Sequence, residues 1–570
     1  MGSPRERNPR RETILFPKKG DAPHRVFLAY PNVYAVGMGN LGFQAVYEIV
    51  DRTPGFVCER VFFPDSDGPV RSVESRREVG EADLLAFSIS FEEDYWRVLR
   101  MLERGGLSLR AREREAGPLV LAGGPAVFLN PEPLADFVDL FLVGEAEEML
   151  PEFLSVYAES AGKRNDRQGL LAEVAEKVRG AYVPRFFRPV YDGERQVALE
   201  HEGPGPARVE RRLVLDLDRF ATTTRVLSDE AVFGDMFLVE ASRGCQWGCR
   251  FCAAGFIYRP LRTRSVERLR SELLRGLEHR RTIGLVGAEM ASVPGVDRLA
   301  EEASVRGGRL SPSSLKADCV TPRLASALGA GGNRSVTVAP EAGSERLRRV
   351  INKNLEEKDI LRAVDLLVGE GVPDLKLYFM VGLPTERAED VEAIVELTET
   401  ILRRQSAAGG KSRVGRLTVS INPFVPKPWT PFQWEPMEEI GSLRAKLAFL
   451  RQRLGREPRV RVETESPREA YVQTLLSRGD RRVGRFLEAV HRSGGDAWAV
   501  VRDWKRSGLG DLPPPDAYVH RRYAFDEFLP WEVLEQQLSK LYLWVERRKA
   551  FEALETPPCD TSTCTACAAC

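Results

Sequence analysis

Three cysteines stand close together near the middle of the chain. Cys245, Cys249 and Cys252 have C-x3-C-x2-C spacing and follow a strand-like apolar run at 237–241. Thiolates are the protein ligands of cubane iron–sulfur clusters, and three of them leave one iron open to another group. Zinc is a poorer alternative, because zinc sites combine cysteine pairs with a second pair or with histidines, and neither lies nearby. The spacing therefore predicts an iron–sulfur cluster with one open coordination position.

This loop resembles the signature of the radical SAM superfamily, including the aromatic Phe251 just before the third cysteine. The resemblance implies that the three cysteines bind a four-iron, four-sulfur (4Fe-4S) cluster and that Phe251 lies near the adenine of S-adenosylmethionine (SAM). It also implies that the open iron chelates the amino and carboxylate groups of SAM. One electron from the cluster would then split the sulfonium to give a 5'-deoxyadenosyl radical.

Length and composition indicate a multidomain cytoplasmic enzyme. A chain of 570 residues is too long for a single hydrophobic core. The formal net charge is zero, which gives no whole-protein attraction to nucleic acid or membrane. The start, MGSPRERNPRRE, lacks the apolar segment of a secretory signal, and no apolar run approaches the ~18 residues of a membrane span. We expect six segments: an extension (1–21), a cobalamin-binding-like domain (22–160), a linker (161–235), a radical SAM core (236–436), a helical region (437–555) and a Cys-rich tail (556–570).

The first domain is predicted to be an α/β, flavodoxin-like, doubly wound sheet. Short apolar runs alternate with helical patterns, which favours parallel strands covered by helices on both faces. The strand-like runs are 24–30, 56–63, 83–89, 118–122 and 138–143, and the helical stretches are 40–51, 92–104 and 147–158. Ligands of such sheets bind beyond the carboxyl ends of the strands.

Two glycine loops fall at such strand ends, Gly123-Gly124 and Gly144-Glu145. Their surroundings resemble the cobalamin-binding domain that precedes many radical SAM cores. In that family such loops line the groove for the corrinoid and its nucleotide tail. The D-x-H-x-x-G motif that supplies a lower cobalt ligand is absent here. A domain that keeps the fold without the cofactor therefore remains the alternative.

The core is predicted to be a partial (β/α)6 barrel, the architecture of radical SAM cores. Six strand-like runs alternate with helices, at 236–241, 283–286, 310–319, 335–339, 375–381 and 417–422. Barrel active sites collect on the loops after the strands.

Three of these loops resemble SAM-binding motifs of the superfamily. Gly287 and Glu289 stand in a sequence similar to its G-G-E motif, which holds the methionine amino group. Glu341 and Ser344 match the E-x-G-S segment of the methylthiotransferase-like branch, and Gly382 begins a turn similar to G-x-x-x-E near the adenine. Glu289 as an ordinary loop carboxylate and Ser344 as a helix N-cap are the alternatives.

The C-terminal third carries a basic helical segment and a second cysteine set. Residues 444–506 contain 16 Lys/Arg and 8 Asp/Glu, densest at 478–482. A solvated basic face is favoured over a nucleic-acid surface, because no known nucleic-acid module is present. Four cysteines with C-x4-C-x2-C-x2-C spacing end the chain, and they suit a second iron–sulfur cluster or an all-cysteine zinc site. They are Cys559, Cys564, Cys567 and Cys570.

The leading hypothesis is a radical SAM enzyme that modifies an unactivated C–H bond, with methyl transfer through cobalamin as its most specific form. The runner-up is a methylthiotransferase-like enzyme acting on RNA or protein, in which the first domain is a scaffold. A minor alternative is an iron–sulfur electron carrier or sensor. All three require a low-potential electron donor such as flavodoxin or ferredoxin.

Overall fold

The first domain is built on a six-stranded sheet. The computed structural model describes residues 12–64, 68–160, 166–408, 415–560 and 567–568. Its first strands are β1 (Glu12–Ile14), β2 (His24–Tyr30), β3 (Phe56–Phe62), β4 (Leu84–Ser88), β5 (Leu119–Gly123), β6 (Leu140–Leu142) and β7 (Ala181–Tyr182). The helices around them are α1 (Tyr34–Met38), α2 (Leu41–Arg52), α3 (Tyr95–Arg104), α4 (Pro125–Leu129), α5 (Ala146–Glu159) and α6 (Arg167–Lys177).

The strand order of this sheet is β3-β2-β4-β5-β6-β7. Strands β2 to β6 are parallel, and only β7 is antiparallel. Counted from β2, the parallel part has the order 2-1-3-4-5, which is the flavodoxin-like order. The predicted fold class is confirmed. Every residue of β3 is buried, which explains why apolar residues occupy successive positions instead of alternating ones, and its two charged residues, Glu59 and Arg60, form ion pairs.

The connection between the two domains is folded. It contains β8 (Phe187–Asp192), β9 (Arg195–His201), β10 (Val209–Glu210) and β11 (Val226–Ser228). β8 and β9 form an antiparallel hairpin, and β11 pairs with β1 near the start of the chain. The region predicted only as a linker therefore contains a hairpin and, before it, helix α6.

The second domain is an open barrel whose wall strands are parallel, with one short antiparallel pair, β13 and β14. Its strands are β12 (Met236–Glu240), β13 (Ser242–Arg243), β14 (Arg262–Thr263), β15 (Thr282–Val286), β16 (Arg309–Pro312), β17 (Ser335–Glu341), β18 (Asp374–Val381), β19 (Leu417–Pro423) and β20 (Val460–Thr464). Its helices are α7 (Ala254–Ile257), α8 (Val266–Leu277), α9 (Val296–Val305), α10 (Pro322–Ala330), α11 (Glu345–Val350), α12 (Glu357–Gly369), α13 (Ala388–Ala408) and α14 (Ile440–Leu454).

Two sheets share the wall of this barrel, β12-β15-β16 and β17-β18-β19-β20. A parallel bridge between Leu315 and Val338 joins them. The six predicted strands are present in the predicted order. The seventh, β20, lies in the region expected to be helical, because its partly exposed run V-R-V-E-T has too few apolar residues to signal a strand.

The remaining helices pack across both domains. They are α15 (Pro467–Arg478), α16 (Val483–Arg492), α17 (Ala497–Arg502), α18 (Asp516–Val519) and α19 (Lys540–Phe551), with a short strand β21 (Leu534–Glu535) that pairs with β10. None of the described helices has the length and apolar character needed to cross a membrane.

The densest part of the basic segment is a packing contact. Arg478 is fully buried and donates to the carbonyls of Val519 and Arg521 at 3.1 and 2.8 Å. Arg481 is also buried and pairs with Glu132 of the first domain at 3.1 Å. The expectation of a solvated face is wrong at this point, because these guanidinium groups hold elements together inside the molecule.

Candidate active site at the junction of the two domains

The cysteine loop is held at its base by a short antiparallel pair. Ser242 and Arg243 of β13 pair with Thr263 and Arg262 of β14, so the intervening residues form a closed loop beyond β12. Gly244 has φ +77°, and a Cβ there would lie 2.4 Å from the carbonyl oxygen of Tyr258. The backbone therefore demands glycine directly before the first cysteine.

The three cysteines on this loop are free and partly buried. Burial raises the pKa of Cys252 to about 11 and that of Cys245 to about 12, and it also raises the pKa of Cys249. Such thiols bind metal by releasing protons. Among the described residues no three His, Cys, Asp or Glu side chains are placed to hold one metal ion. A cubane differs from such a site, because each of its cysteines binds a separate iron.

Arg250 fastens the loop to the end of the chain. Its buried guanidinium donates to Glu546 Oε2 of α19 at 3.0 and 3.2 Å. It also donates to the carbonyls of Arg349, Val350 and Leu554 at 3.1, 2.9 and 2.8 Å. The residue between the second and third cysteines therefore joins the cluster loop, α11 and the terminal helix.

Asn352 makes a second connection between the same parts. Its Nδ2 donates to the Gly248 carbonyl at 3.1 Å, and its Oδ1 accepts from the Thr556 amide at 2.7 Å. The Cys559 amide donates to the Gln246 carbonyl at 2.8 Å. The segment from 554 to 559, called the terminal strap below, therefore lies against the cluster loop.

The proposed SAM-binding residue Gly287 lines the cavity between the domains, described below, but Glu289 is engaged elsewhere. The Glu289 carboxylate accepts from the amides of Ala291 and Ser292 at 2.6 and 2.9 Å. It also accepts from the Ser292 hydroxyl and lies close enough to Cys245 to raise the pKa of that thiol. The Glu289 carboxylate therefore lies beside the cluster loop, and it accepts hydrogen bonds within its own turn, from Ala291 and Ser292.

Glu341 ends strand β17 with φ +68°, a left-handed conformation that is uncommon outside glycine. Its carboxylate pairs with Lys353 at 3.3 Å, and both groups are close enough to Cys249 to influence its pKa. Burial opposes the charge of Lys353, but Glu341 and Cys249 hold the Lys353 pKa above its ordinary value. The cysteine loop thus has an ion pair beside it.

Ser344 is the N-cap of α11, since its Oγ accepts from the Leu347 amide at 3.1 Å. It also donates to the Asp390 carboxylate. Gly382 has φ +84°, and its amide donates to Glu386 at 2.9 Å. Phe251 packs against a small apolar cluster drawn from the loops after β17, β18 and β19, which includes Ala342, Leu383 and Phe424. The predicted SAM-binding loops are therefore brought to one end of the barrel.

A cavity of about 500 Å³ lies between the two domains. Gly123, Gly124 and Gly144 line it from the first domain, and Gly244, Gly287 and Tyr258 line it from the barrel. Gly124 has φ +108° and Gly144 has φ +129°. A Cβ on Gly124 would lie 2.5 Å from the Ile89 carbonyl oxygen. The carboxyl ends of two parallel sheets thus face each other across one space.

Glu145 is committed to the contact between the domains. Its two carboxylate oxygens accept from Arg262 at 2.7 and 2.8 Å, and from the Val214 amide at 2.7 Å. Burial opposes this charge, but Arg262 and Arg243 hold the Glu145 pKa below its ordinary value. The Glu145 side chain, on a loop predicted to line a cofactor groove, thus holds the first domain against the barrel.

The cavity continues into an apolar slot between the sheet and helices α2 and α5, lined by Leu28, Val46, Ile49, Leu121 and Leu150. This slot fits the apolar parts of cobalamin, the cofactor implied by the resemblance of the first domain. None of the described residues lining the cavity is a histidine. The residues present therefore suit a corrinoid held by shape, without an axial histidine.

Two of the four terminal cysteines are described. Cys559 lies on the terminal strap, and Cys567 is buried, with its carbonyl accepting from the Ser539 amide at 3.0 Å. The Cys567 thiol helps to raise the pKa of Arg259, which follows α7. Cys564 and Cys570 lie outside the described residues. The second cluster or zinc site stays a prediction.

Four residues of this site were missed by the sequence interpretation: Arg250, Asn352, Lys353 and Tyr258. A charged residue inside C-x2-C was the available signal for Arg250. Asn352 and Asn354 both have left-handed φ, 53° and 48°, and two asparagines around a lysine signal such a turn. No local sequence pattern identifies Tyr258, because it joins the site only where the barrel packs against Phe128 of the first domain.

Two family models match the chain. The model for the N-terminal part of radical SAM proteins matches residues 42–184, and the model for the radical SAM superfamily matches residues 239–398. Together these matches cover more than half of the chain. The chain belongs to the radical SAM superfamily of enzymes.

Similar proteins include an uncharacterised protein of Methanocaldococcus jannaschii, 28% identical over 465 residues, covering 81% of this chain and 90% of the relative. A tRNA-2-methylthio-N(6)-dimethylallyladenosine synthase of a Jannaschia species is 27% identical over 350 residues, covering 55% of this chain and 66% of the relative. The solved radical SAM methyltransferase TsrM of Kitasatospora setae aligns with a TM-score of 0.47 and 14% identity, covering 74% of this chain and 76% of that one.

Proposed function

We propose that this chain reductively cleaves SAM to a 5'-deoxyadenosyl radical and uses it to modify an unactivated C–H bond. One observation carries the proposal: the cysteine loop stands at the wall of a cavity that the carboxyl ends of two parallel sheets enclose. A reactive radical requires a site that excludes water and holds the reacting atoms together. The position of the cavity between the two domains supports this proposal.

Each described group has a proposed task in this reaction. Cys245, Cys249 and Cys252 bind the cluster, which when bound supplies the electron that splits SAM into methionine and the radical. Arg250 and Asn352 position the cysteine loop through their contacts with the terminal helix and strap. The loops carrying Gly287, Glu341, Ser344 and Gly382, together with Phe251, surround the SAM site.

The more specific form of the proposal is a cobalamin-dependent methyl transfer. In this form Gly123, Gly124 and Gly144 contact a corrinoid, which when bound supplies the methyl group. The apolar slot between the sheet and α2 supports it by its shape. The form without a corrinoid keeps the same radical chemistry and leaves the cavity to the substrate alone.

A methylthiotransferase-like reaction on RNA or protein is the second candidate. The similarity to a tRNA methylthio-synthase over 350 residues favours it. So does the terminal strap, which brings Cys559 of the second cysteine set against the cluster loop. An iron–sulfur electron carrier or sensor that binds SAM without turnover is the remaining alternative.

The proposal also names a partner and a compartment. The chain requires a low-potential electron donor such as flavodoxin or ferredoxin. The three cysteines of the loop are free thiols, which suits the reducing cytoplasm.

Formation of 5'-deoxyadenosine tests the radical chemistry. Anaerobically reconstituted protein, given SAM and dithionite, should release 5'-deoxyadenosine and methionine in equal amounts. Cys249→Ala should abolish the product, whereas Cys319→Ala, outside the cysteine loop, should retain it. No product from wild-type protein with its cluster intact would support the electron-carrier alternative.

The metal content after reconstitution with hydroxocobalamin distinguishes the cobalamin-dependent form of the proposal from the two-cluster alternative. About eight irons and one cobalt per chain would indicate two cubanes of about four irons each and a bound corrinoid. About eight irons without cobalt would favour the two-cluster alternative. About four irons with one zinc would make the terminal cysteines a structural site.

A further inference from the structure

The charged groups that line the cavity between the domains neutralise one another. Four charged residues are among the described lining residues: Glu145, Glu147, Glu240 and Arg243. Arg243 pairs with all three carboxylates, at 3.1 Å to Glu145, at 2.9 Å to Glu240 and more closely to Glu147. The positive charge of Arg243 is therefore already offset by three carboxylates.

Two further arginines, which do not line the cavity, complete this network of ion pairs. Arg262 pairs with Glu145 at 2.7 Å and Arg264 pairs with Glu240 at 2.8 Å. The hydrogen-bonded set then holds three carboxylates and three guanidinium groups, so its charges balance. Arg211 does not line the cavity, but it lies close enough to Glu145 to interact with its charge, and its buried Nε and Nη1 have no partner among the described residues. None of the lining residues has a buried side-chain polar atom without a partner.

The remainder of the wall is apolar apart from a few hydroxyl and amide groups. Tyr258 is the largest of these polar residues, and its ring packs edge-on against Phe128 at 6.1 Å. Among the described residues none forms a hydrogen bond with the hydroxyl of Tyr258, a residue that lines the cavity. Ala254, the first residue of α7 and four residues before Tyr258, is exposed on the same wall.

We infer that the substrate group held in this cavity is uncharged and mostly apolar, with an acceptor that takes a hydrogen bond from the Tyr258 hydroxyl. The inference rests on the proposed radical chemistry in its form without a corrinoid, because a corrinoid would occupy the same cavity, and it names the substrate class. A cavity of about 500 Å³ suits one small molecule or one side group. Bringing an anion into it would require a cationic side chain that the wall does not spare, so a phosphorylated substrate is disfavoured.

Two dyes that differ by one sulfonate test the charge preference. N-phenyl-1-naphthylamine is neutral, and 8-anilino-1-naphthalenesulfonate carries the same ring system with one negative charge. Cluster-reconstituted protein should bind the neutral dye at one site and at least about tenfold more tightly than the anionic dye, a difference of about 1.4 kcal/mol. Equal or tighter binding of the anionic dye would overturn the inference.

Variants locate the bound dye and test the balance of charge. Ala254→Phe and Ala45→Phe, from opposite walls, should each reduce neutral-dye binding at least about fivefold, and unchanged binding in both would place the dye elsewhere and overturn the assignment. Glu147→Gln removes one carboxylate from the balanced set. It should strengthen binding of the anionic dye about tenfold and leave the neutral dye unchanged; no gain for the anionic dye would count against a balanced wall.

A neutral dye with a carbonyl acceptor, 6-propionyl-2-dimethylaminonaphthalene, tests Tyr258. Tyr258→Phe should weaken its binding about fivefold and shift its emission to the blue, without affecting N-phenyl-1-naphthylamine. Equal loss for both dyes would assign Tyr258 to packing alone.

Two controls separate the inference from the proposed function. Displacement of the neutral dye by hydroxocobalamin would assign the cavity to the corrinoid and overturn the substrate assignment. Formation of 5'-deoxyadenosine is measured on the same samples. Selective binding of the neutral dye without that product would refute the radical chemistry, and the product without selective binding would refute only the substrate class.

Discussion

Arg250, between two of the three cluster-loop cysteines, forms a buried ion pair with Glu546 on the last helix, with Nη2 and Nε at 3.0 and 3.2 Å from the same carboxylate oxygen. Nearly 300 residues of sequence separate the partners. The geometry of the cysteine loop therefore depends on the end of the chain.

Arg250→Ala should lower both cluster content and stability. It leaves the Glu546 carboxylate and three carbonyl groups without this donor, and breaking a buried ion pair costs about 3–5 kcal/mol. Iron per chain after reconstitution and the apparent melting temperature are the measurements. Arg548→Ala, on the exposed side of the same helix, is the control and should change neither. Full iron content in the Arg250 variant would show that the loop holds its shape without this pair.

Asn352→Ala should release the terminal strap from the cysteine loop. The substitution removes one donor to the Gly248 carbonyl and one acceptor for the Thr556 amide, a loss of about 1–3 kcal/mol for buried groups. Hydrogen exchange of the Thr556 amide should become faster, and 5'-deoxyadenosine formation should fall. Asn333→Ala, which loses a bond only to the Leu328 carbonyl, should leave both quantities unchanged.

Gly124→Ala should destabilise the first domain. The backbone there has φ +108°, and the new Cβ would meet the Ile89 carbonyl oxygen at 2.5 Å. Strain and overpacking of this kind cost about 2–4 kcal/mol. Gly369→Ala is the matched control, because a Cβ on that helical glycine meets nothing within 4 Å. Its melting temperature should stay equal or rise slightly, since alanine favours the helix.

Glu93 should make stability fall as pH rises. Burial and the neighbouring Glu92 raise the Glu93 pKa from 4.5 to about 7, despite the opposing effect of Lys427. Between these values the folded state binds more protons than the unfolded state, so stability declines from about pH 4.5 to about pH 7, by roughly 3 kcal/mol at most.

Glu93→Gln should therefore raise the apparent melting temperature at pH 8 and leave it unchanged near pH 4.5. The exposed Glu113→Gln is the control and should have no effect at either pH. An equal shift of the Glu93 variant at both pH values would show that the effect is steric.

Much of the fold was predictable because the strands are buried on both faces. Strand β2 occupies the predicted residues 24–30, and β3 differs from the prediction by one residue. Strand β20 was missed, because its side chains are partly exposed and its apolar pattern is weak. Helix α6 was missed because it follows a polar stretch, and only four of its eleven residues are buried.

The sequence by itself determined the chemistry that can occur at the cysteine loop and the two sheets that flank it. Residue type and spacing carry that information, because metal ligation and strand burial depend on neighbours along the chain. The tertiary structure decided what each polar residue does. Ser344 caps α11, Glu145 joins the domains, and Arg250 reaches Glu546, since these roles depend on partners that are distant in sequence and meet only when the two domains pack together.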